Sequence, residues 1–381
     1  MRVRYSFRLP SPSAGLGAGR RTLLAAVALA AATAALCGES PAGLEAEFKA
    51  ACRRMTAERL KGTGEDVLGR DGWVVLSTEL WYAAGGAFWG EAAREVNFRA
   101  APDAVDPLPA VLDFNAQLAA RGITLIFMPV PTRIVVYPEA ILGMERFASF
   151  RTIPDLHTPE REFLALLRSH GVKVVELTPL LLASRGDPHA PLFVPSDSHW
   201  TGAAIALASA QISRLIRAMP FYPKAPKREL LALWRERIHV GHIYGDLHEK
   251  AGLPERPGDH LWLRTVALKT PDGEKHIEMR NPESPVVVIG DSNTICWKDQ
   301  DSALFQQLSV DLGFPVDELA TSGGGATNAR LNLVRTALAE PGYLTGKKVL
   351  VWCFTSRSFH NSQDGWRLVP LDAVPAPSSV R

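Results

Sequence analysis

Three side chains of the types needed for nucleophilic catalysis occur in two short motifs. The first is SDSHWT at positions 196–201, where Asp197 and His199 are two residues apart. In extended backbone, residues two apart project to the same side, so the carboxylate can orient the imidazole. The second is GDSNT at positions 290–294, which offers Ser292 as a nucleophile. A serine, a histidine base and an aspartate that orients the base form the set used for acyl transfer.

Each motif also has a purely structural explanation. Ser and Asp are favoured at helix N-termini, so Asp291 or Ser292 can cap the helix predicted after GDS. In the same way, Asp197 or Ser198 can serve the helix predicted after SDSHWT, which would leave His199 as a surface residue. The two motifs together favour catalysis, because each supplies a part that the other lacks. The GxSxG pattern of the α/β-hydrolases is absent, so that fold is not expected.

A glycine-rich segment supplies candidate hydrogen-bond donors. SGGGATNAR at positions 322–330 follows a predicted strand, and its glycines can bring backbone N–H groups close to a substrate. Asn328 adds a side-chain amide. A flexible turn between a strand and a helix explains the segment equally well. It does not match GxGxxG, so it gives little support to nucleotide binding.

A histidine-rich stretch shows no metal-binding pattern. It contains His239, His242, His248 and His260 together with Asp246, Glu249 and Asp259. Their spacing matches neither HExxH nor a similar motif, so solvated or core histidines are expected. We expect neither a metal nor another cofactor.

Apolar runs alternate with helical patterns along most of the chain. The predicted strands are 123–130, 172–177, 285–290, a weaker one at 316–320, and 347–354. The predicted helices are 109–122, 160–171, 201–219, a stretch from about 291 to 312, and 326–338. This alternation predicts an α/β fold, a three-layer sandwich with a central parallel sheet. Ligands bind beyond the carboxyl ends of such strands, which is where Ser292 follows its strand.

Two regions depart from this alternation. Residues 40–107 are interpreted as irregular and aromatic, and residues 220–283 as a polar, irregular insertion over one edge of the sheet. No internal repeat or long linker divides the chain. We therefore predict one domain over residues 39–381 that contains the insertion at 220–283.

Composition excludes several classes of protein. The chain has 381 residues, and 42 Lys and Arg against 40 Asp and Glu give a net charge of +2, so a nucleic-acid partner is not expected. Four cysteines are too few for a disulfide scaffold. Three pairings of Cys37, Cys52, Cys296 and Cys353 remain open.

The first 38 residues have the pattern of an export signal. Five arginines precede the first acid, Glu39, and an apolar run of 15 residues covers 22–36. That run is shorter than the roughly 20 residues of a comfortable membrane span. We predict a secretory signal peptide or signal anchor at 1–38, with a twin-arginine signal and an N-terminal helix of the fold as alternatives. Export to an oxidising compartment would permit disulfides.

These segments resemble the alginate O-acetyltransferase family, SGNH-type periplasmic proteins that acetylate exported polysaccharides. The resemblance extends from about residue 68 to about residue 360. It rests on PSDSHWT (195–201) and GDSNT, in this order and about ninety residues apart. Similar segments are GRDGWVVLSTELWYAAGGAFWG (69–90), MPVPTRIVVYPE (128–139), YGDLHEKAGLP (244–254) and VWCFTSRS (351–358).

The resemblance implies an SGNH-hydrolase-like sandwich with circularly permuted motifs, because Asp197 and His199 precede Ser292 in the chain. It implies that Ser292 forms an acetyl-enzyme, that His199 acts as general base and then acid, and that Asp197 holds the histidine. The residues expected at the oxyanion and substrate sites are the amide of Ser292, Gly324, Gly325, Asn328, Arg357 and Trp200.

The expected function is O-acetyl transfer to an exported, alginate-like polysaccharide in the periplasm. The resemblance implies a membrane-bound O-acyltransferase as the supplier of acetyl groups, and the N-terminal segment is a candidate for contact with the inner membrane. Tyr82, Trp89, Trp200 and Trp297 are candidates for stacking on sugar rings, or ordinary core residues. The alternatives are a carbohydrate acetyl esterase with the same triad and a non-catalytic polysaccharide-binding subunit.

Overall fold

A five-stranded parallel sheet forms the centre of the molecule. The computed structural model describes residues 40–59, 66–97, 99–225, 235–243, 245–250, 258–362 and 364–372. The strands are β1 (Asp66–Leu68), β2 (Val74–Leu76), β3 (Thr124–Val130), β4 (Lys173–Val174), β5 (Arg235–Ile243), β6 (Asp259–Thr270), β7 (Gly273–Lys275), β8 (Val286–Gly290), β9 (Asp317–Glu318) and β10 (Val349–Thr355). The central sheet has the order β4-β3-β10-β8-β9, and all its pairs are parallel. The predicted parallel sheet is confirmed.

Helices cover both faces of this sheet. They are α1 (Pro41–Arg59), α2 (Ser77–Ala84), α3 (Ala93–Val96), α4 (Pro107–Ala119), α5 (Arg133–Val136), α6 (Glu139–Leu142), α7 (Thr158–Ser169), α8 (Thr178–Ser184), α9 (Gly202–Arg217), α10 (Asp246–Lys250), α11 (Ser292–Ile295), α12 (Leu304–Leu312), α13 (Gly325–Ala339) and α14 (Ser358–Asn361). Short 3₁₀ turns lie at Gly90–Ala92, Met144–Phe147, Tyr222–Lys224 and Lys298–Gln300. The predicted helices after residue 108 are all present, although the stretch after GDS is divided into α11 and α12.

Alternation along the central strands creates two hydrophobic cores. In β10, Val349, Val351 and Cys353 join one core, whereas Leu350, Trp352 and Phe354 join the other. The first core includes α1, α9 and α12, and the second includes α4, α7 and α13. Successive strand residues face opposite sides of a sheet, so this division shows three layers, helix–sheet–helix.

The region before residue 107 is more regular than the sequence indicated. Helix α1 has 19 residues, and β1 and β2 form an antiparallel pair. Glu79 of α2 is fully buried and forms an ion pair of 2.7 Å with Arg133, which is 1% exposed. Arg133 also donates to Val74 O at 2.7 Å. This charge pair joins the N-terminal region to α5, the short helix that follows β3.

The segment 220–283, interpreted from sequence as irregular, contains a regular three-stranded antiparallel sheet. β5 pairs with β6 over nine residue pairs, and β6 pairs with β7. Its apolar residues Leu261 and Leu263 are buried. Helix α10 lies between β5 and β6 in the chain.

Two further sequence predictions concern the chain ends and the cysteines. The segment 1–38 lies outside the described residues, as does Cys37. Among the described helices, none is both long enough and apolar enough to cross a lipid bilayer. Cys52, Cys296 and Cys353 are free thiols, so no pair among these three is joined by a disulfide.

Candidate active site

The three residues of the two motifs form one continuous hydrogen-bonded chain. His199 Nε2 lies 2.9 Å from Ser292 Oγ, and His199 Nδ1 lies 2.9 Å from Asp197 Oδ1. Ser292 and His199 are 93 positions apart in sequence, so this contact depends on the tertiary fold. Asp197 is buried, whereas His199 and Ser292 are partly exposed. Such distances allow hydrogen bonds between a serine nucleophile and its histidine base, and between that base and the carboxylate that orients it.

In the turn after β8, one residue caps the following helix and the next residue contacts His199. Asp291 caps α11, since its Oδ1 accepts the backbone N–H of Asn293 at 2.9 Å. Its Oδ2 accepts the N–H of Thr355 at 2.8 Å, which joins the ends of β8 and β10. The capping alternative therefore applies to Asp291, and Ser292 is directed toward His199. A Cβ on Gly290 would lie 1.7 Å from Cys353 O, so only glycine fits the preceding position.

The loop that presents His199 is fixed on its own side. Asp197 Oδ1 also accepts the backbone N–H of His199 at 2.8 Å, so one carboxylate holds both the ring and the backbone. Phe193 and Trp200 form an isolated antiparallel bridge across the loop. Trp200 is 0% exposed, and its indole N–H donates to Asn293 O at 2.8 Å. The expectation that Trp200 contacts substrate is therefore wrong: its ring joins the histidine loop to the serine turn.

The 245–247 segment supports the same loop from the other side. Gly245 N–H donates to Ser196 Oγ at 3.0 Å, and Leu247 N–H donates to Ser196 O at 2.9 Å. Asp246 accepts the N–H of Ser198 at 2.7 Å and its Oγ–H at 3.0 Å. A Cβ on Gly245 would lie 2.2 Å from Ser196 O. The sequence patterns assigned neither Gly245 nor Asp246 a role in holding the histidine loop, although both belong to the GDL segment at 245–247.

A polar cleft of about 250 Å³ opens beside Ser292. Its described lining residues are Asp291, Ser292, Gly323, Gly324, Gly325, Thr355, Arg357, Ser358, Asn361, Ser362 and Asp364. The structure therefore brings Arg357, Gly324 and Gly325 to the same cleft as Ser292. The four aromatic residues proposed for stacking are not among the lining residues.

Two expected oxyanion donors have other partners. The N–H of Gly324 donates to Thr321 O at 2.9 Å, and the side-chain amide of Asn328 donates to Asp364 Oδ2 at 2.6 Å. Asn328 is not among the lining residues. The oxyanion role expected of these two groups stays a prediction, because here each group donates to another protein atom. The amide of Ser292 remains a candidate donor, because N–H groups of a first helical turn lack acceptors within their helix.

The site contains a group of side chains that could in principle hold a cation. One ligand atom each from Asp197, His199 and Asp246 lies within 4.8 Å of the others. Hydrogen bonds account for this proximity, because both nitrogens of His199 are engaged and Asp246 accepts from Ser198. Of the histidine-rich stretch, His248 is buried, while the side chains of His239, His242 and Glu249 lie outside the described part.

A second buried polar cluster lies behind the cleft wall. Glu160 of α7 accepts hydrogen bonds from Tyr82 Oη at 2.6 Å and from Ser356 Oγ at 2.8 Å. Burial raises the pKa of Glu160 to about 7, and the two hydrogen bonds oppose that shift. Burial also lowers the pKa of His157 to about 4 and that of His360 to about 3. Nothing in the sequence patterns indicated this cluster, because its members come from three separate segments.

Comparison with known proteins identifies the family. The family model described as SGNH hydrolase-like domain, acetyltransferase AlgX, matches residues 67–356. The chain belongs to this family. The matched span includes both motifs of the hydrogen-bonded chain and closely follows the extent of the resemblance found in the sequence. A search of curated proteins finds no match.

Solved structures agree with the family at the level of the fold. The O-acetyltransferase domain of Pseudomonas putida AlgJ has a TM-score of 0.52 and 20% identity, with 78% of this chain and 92% of that chain covered. Pseudomonas aeruginosa AlgX has a TM-score of 0.52 and 17% identity, with 78% of this chain covered. This chain spans 65% of that AlgX chain, slightly less than two thirds. The SGNH-hydrolase-like fold is thus confirmed, and membership of the AlgX family indicates an acetyltransferase.

Proposed function

We propose that this protein transfers acetyl groups to hydroxyls of an exported, alginate-like polysaccharide through an acetyl-serine intermediate. The observation that supports the proposal most strongly is the Asp197–His199–Ser292 chain, with both contacts at 2.9 Å and with its serine in the lining of a polar cleft. A serine alone is a weak nucleophile, and an adjacent imidazole is the usual means of activating it. Family membership supplies the acetyl chemistry.

In the first step, Ser292 Oγ attacks the carbonyl carbon of an acetyl ester. His199 Nε2 takes the hydroxyl proton, and Asp197 stabilises the resulting imidazolium and keeps its ring in place. The bond between the carbonyl carbon and the leaving oxygen then breaks. His199 returns the proton to that oxygen, so the products are a free alcohol and acetyl-Ser292.

In the second step, a sugar hydroxyl attacks the acetyl carbonyl of Ser292. His199 takes the proton of the sugar hydroxyl and then gives it to Ser292 Oγ as the acyl–serine bond breaks. The products are the acetylated sugar and the original serine. The negative charge that develops on the carbonyl oxygen in both steps requires donors such as the Ser292 amide.

The cellular setting belongs to the same proposal. Export through the 1–38 segment would place the enzyme in the periplasm, where the family resemblance implies that exported polysaccharides are acetylated. A membrane-bound O-acyltransferase would then supply the acetyl groups. An N-terminal segment retained as a signal anchor would keep the enzyme at the inner membrane.

The decisive experiment is intact-mass analysis of the purified protein after incubation with a small acetyl ester such as 4-nitrophenyl acetate. We expect an added acetyl group on the wild type and on Ser169→Ala, an exposed serine of α7, but none on Ser292→Ala. An oligosaccharide acceptor should discharge the adduct faster than water does.

The alternatives predict different results. Rapid ester turnover that an oligosaccharide does not alter would favour the acetyl esterase. Absence of both adduct and turnover in the wild type would refute the proposed mechanism and leave the non-catalytic polysaccharide-binding subunit as the better explanation.

A further inference from the structure

The cleft beside Ser292 is lined by glycines and polar side chains in the described part of the chain. No aromatic or large aliphatic side chain occurs among these lining residues. Tyr82 and Trp200 are completely buried in the core, and Trp89 packs on Phe163 with ring centroids 5.4 Å apart. A sugar in this cleft therefore has no stacking surface from these residues, and its recognition must depend on hydrogen bonds and charge.

Arg357 brings a positive charge to this cleft without a carboxylate partner among the described residues. Its one hydrogen bond there is from Nη1 to Thr355 Oγ1 at 3.3 Å. The guanidinium is partly exposed and retains donors that the protein does not use. Such a group fits an anionic or hydrogen-bond-accepting part of a substrate.

Asp364 brings a negative charge to the same cleft. Its carboxylate forms no ion pair with the described cations, Arg357 included, and its one described hydrogen bond is from Asn328 at 2.6 Å. That bond uses Oδ2 and fixes the orientation of the carboxylate, while Oδ1 remains available. Asn361, which also lines the cleft, has a side-chain oxygen without a hydrogen-bond partner in the described structure.

The backbone that follows Asp364 is held by hydrogen bonds. Thr327 Oγ1 donates to Gly365 O, and Trp366 N–H donates to Ala104 O at 2.6 Å. Gly365 has a φ of +65°, and a Cβ there would lie 2.5 Å from Ala104 O. Asp364 itself is exposed, and its carboxylate is oriented before any ligand arrives by the hydrogen bond from Asn328, which reduces the entropy lost on binding.

We infer that Asp364, oriented by Asn328, accepts a hydrogen bond from a hydroxyl of the acceptor sugar, while Arg357 binds an acidic or oxygen-rich group of the same sugar. This inference rests on the proposed function. It defines the acceptor class as sugars that present a free hydroxyl and, at a second position, a carboxylate or similar acceptor. Asp364 is then a residue that determines acceptor specificity, and Asn328 is a positioning residue.

The test measures how acetyl-Ser292 divides between sugar and water. The protein is acetylated with 4-nitrophenyl acetate and then given either a mannuronate oligomer or a neutral mannose oligomer, and the ratio of acetylated sugar to acetate is determined. Asp364→Asn keeps the shape of the side chain but loses its charge. Loss of a charge-assisted hydrogen bond should lower the ratio about 10- to 100-fold with both sugars.

Two further variants sharpen the test. Arg357→Gln should lower the ratio mainly with the mannuronate oligomer, because only that sugar offers a carboxylate. Asp372→Asn removes an exposed carboxylate outside the cleft lining and should give the wild-type ratio. Circular dichroism confirms that each variant is folded.

The possible failures are distinguishable. If the wild type forms acetyl-Ser292 normally but Asp364→Asn gives the wild-type ratio, the inference is wrong and the proposed function stands. If Asp364→Asn raises the ratio with the mannuronate oligomer, the carboxylate repels the acceptor, which also overturns the inference. If the wild type forms no acetyl-Ser292, the proposed function fails and the inference fails with it.

Discussion

Glu160 allows a quantitative test of the buried cluster behind the cleft. Its side chain is buried, with 4% of its surface exposed, and its two described hydrogen-bond donors, Tyr82 Oη and Ser356 Oγ, are both neutral. Arginine or lysine would favour the charged form, but neither contacts this carboxyl in the described structure. Burial without such a cation raises the pKa of Glu160 from 4.5 to about 7.

The shift has a definite sign and size. Below about pH 4.5 the carboxyl is protonated in both the folded and the unfolded chain, so it contributes no pH dependence. Between pH 4.5 and pH 7 the unfolded chain releases the proton while the folded chain keeps it, so stability falls as pH rises. Above pH 7 the penalty is complete, and a shift from 4.5 to about 7 corresponds to about 3 kcal/mol.

Two neighbouring histidines change the stability of the fold with pH in the opposite direction. The pKa values of His157 and His360 are lowered to about 4 and about 3, chiefly by burial, so the folded chain keeps both neutral. Below pH 6.5 the unfolded chain binds protons first, and stability therefore falls as pH falls. The wild-type pH profile thus contains opposing slopes, and only a comparison with a Glu160 variant isolates the contribution of the carboxyl group.

The perturbation is Glu160→Gln, which keeps a hydrogen-bonding side chain of the same length but does not titrate. Urea unfolding of wild type and variant is measured at pH 5, 6, 7 and 8. We expect the stability of the variant relative to wild type to rise by about 2–3 kcal/mol between pH 5 and pH 8. Glu162→Gln, an exposed position on the same helix, is the matched control and should show a nearly constant difference.

A difference between Glu160→Gln and wild type that stays constant from pH 5 to pH 8 would refute the reasoning. It would mean that Glu160 has the same pKa in the folded and unfolded chains. A difference that falls with pH would mean that the folded protein favours the carboxylate. That result requires a cation such as protonated His157, whose Nδ1 lies 3.9 Å from Glu160 Oε2.

Three further perturbations have expected outcomes. Asp197→Asn should slow formation of the acetyl adduct by about 10³- to 10⁴-fold, measured by stopped-flow release of 4-nitrophenol, because the histidine loses the group that fixes its tautomer. Gly245→Ala should lower the free energy of unfolding by about 1–3 kcal/mol and reduce adduct formation. Gly186→Ala is the control and should do neither, because no atom lies within 4 Å of the new Cβ. Equal effects of the two substitutions would contradict the proposed packing. Arg133→Met should destabilise the protein by about 3–5 kcal/mol in urea unfolding because it leaves Glu79 buried without its cation, and a loss below 1 kcal/mol would show that the pair is not essential.

The sequence predicted the central layers well because their signal is local. The three longest central strands, β3, β8 and β10, are apolar runs whose alternate residues face two cores. The shortest strands, β4 and β9, have only two residues each, so their predicted extents were too long. The 220–283 segment was predicted to be irregular because amino-acid composition does not show which strands pair, and its sheet depends on antiparallel pairing.

At the site, too, local patterns predicted some features and only the tertiary structure showed the others. The motifs identified the types of residue, and a spacing of two placed Asp197 beside His199. Burial decided the role of Trp200, because a tryptophan that is 0% exposed cannot contact substrate whatever motif contains it. Hydrogen-bond partners decided the role of Asn328, whose amide is already used by Asp364.

The sequence by itself therefore determined the layered α/β fold, the motif order and the three side chains of the proposed triad, since these depend on residue type and short spacing. The tertiary structure alone decided that Ser292 and His199, 93 positions apart, lie at 2.9 Å. It also decided that Gly245 and Asp246 hold the histidine loop, and that Arg357 and Asp364 share a cleft without pairing. These facts depend on how separate segments meet at the carboxyl edge of the sheet, and chain folding rather than local propensity fixes that geometry.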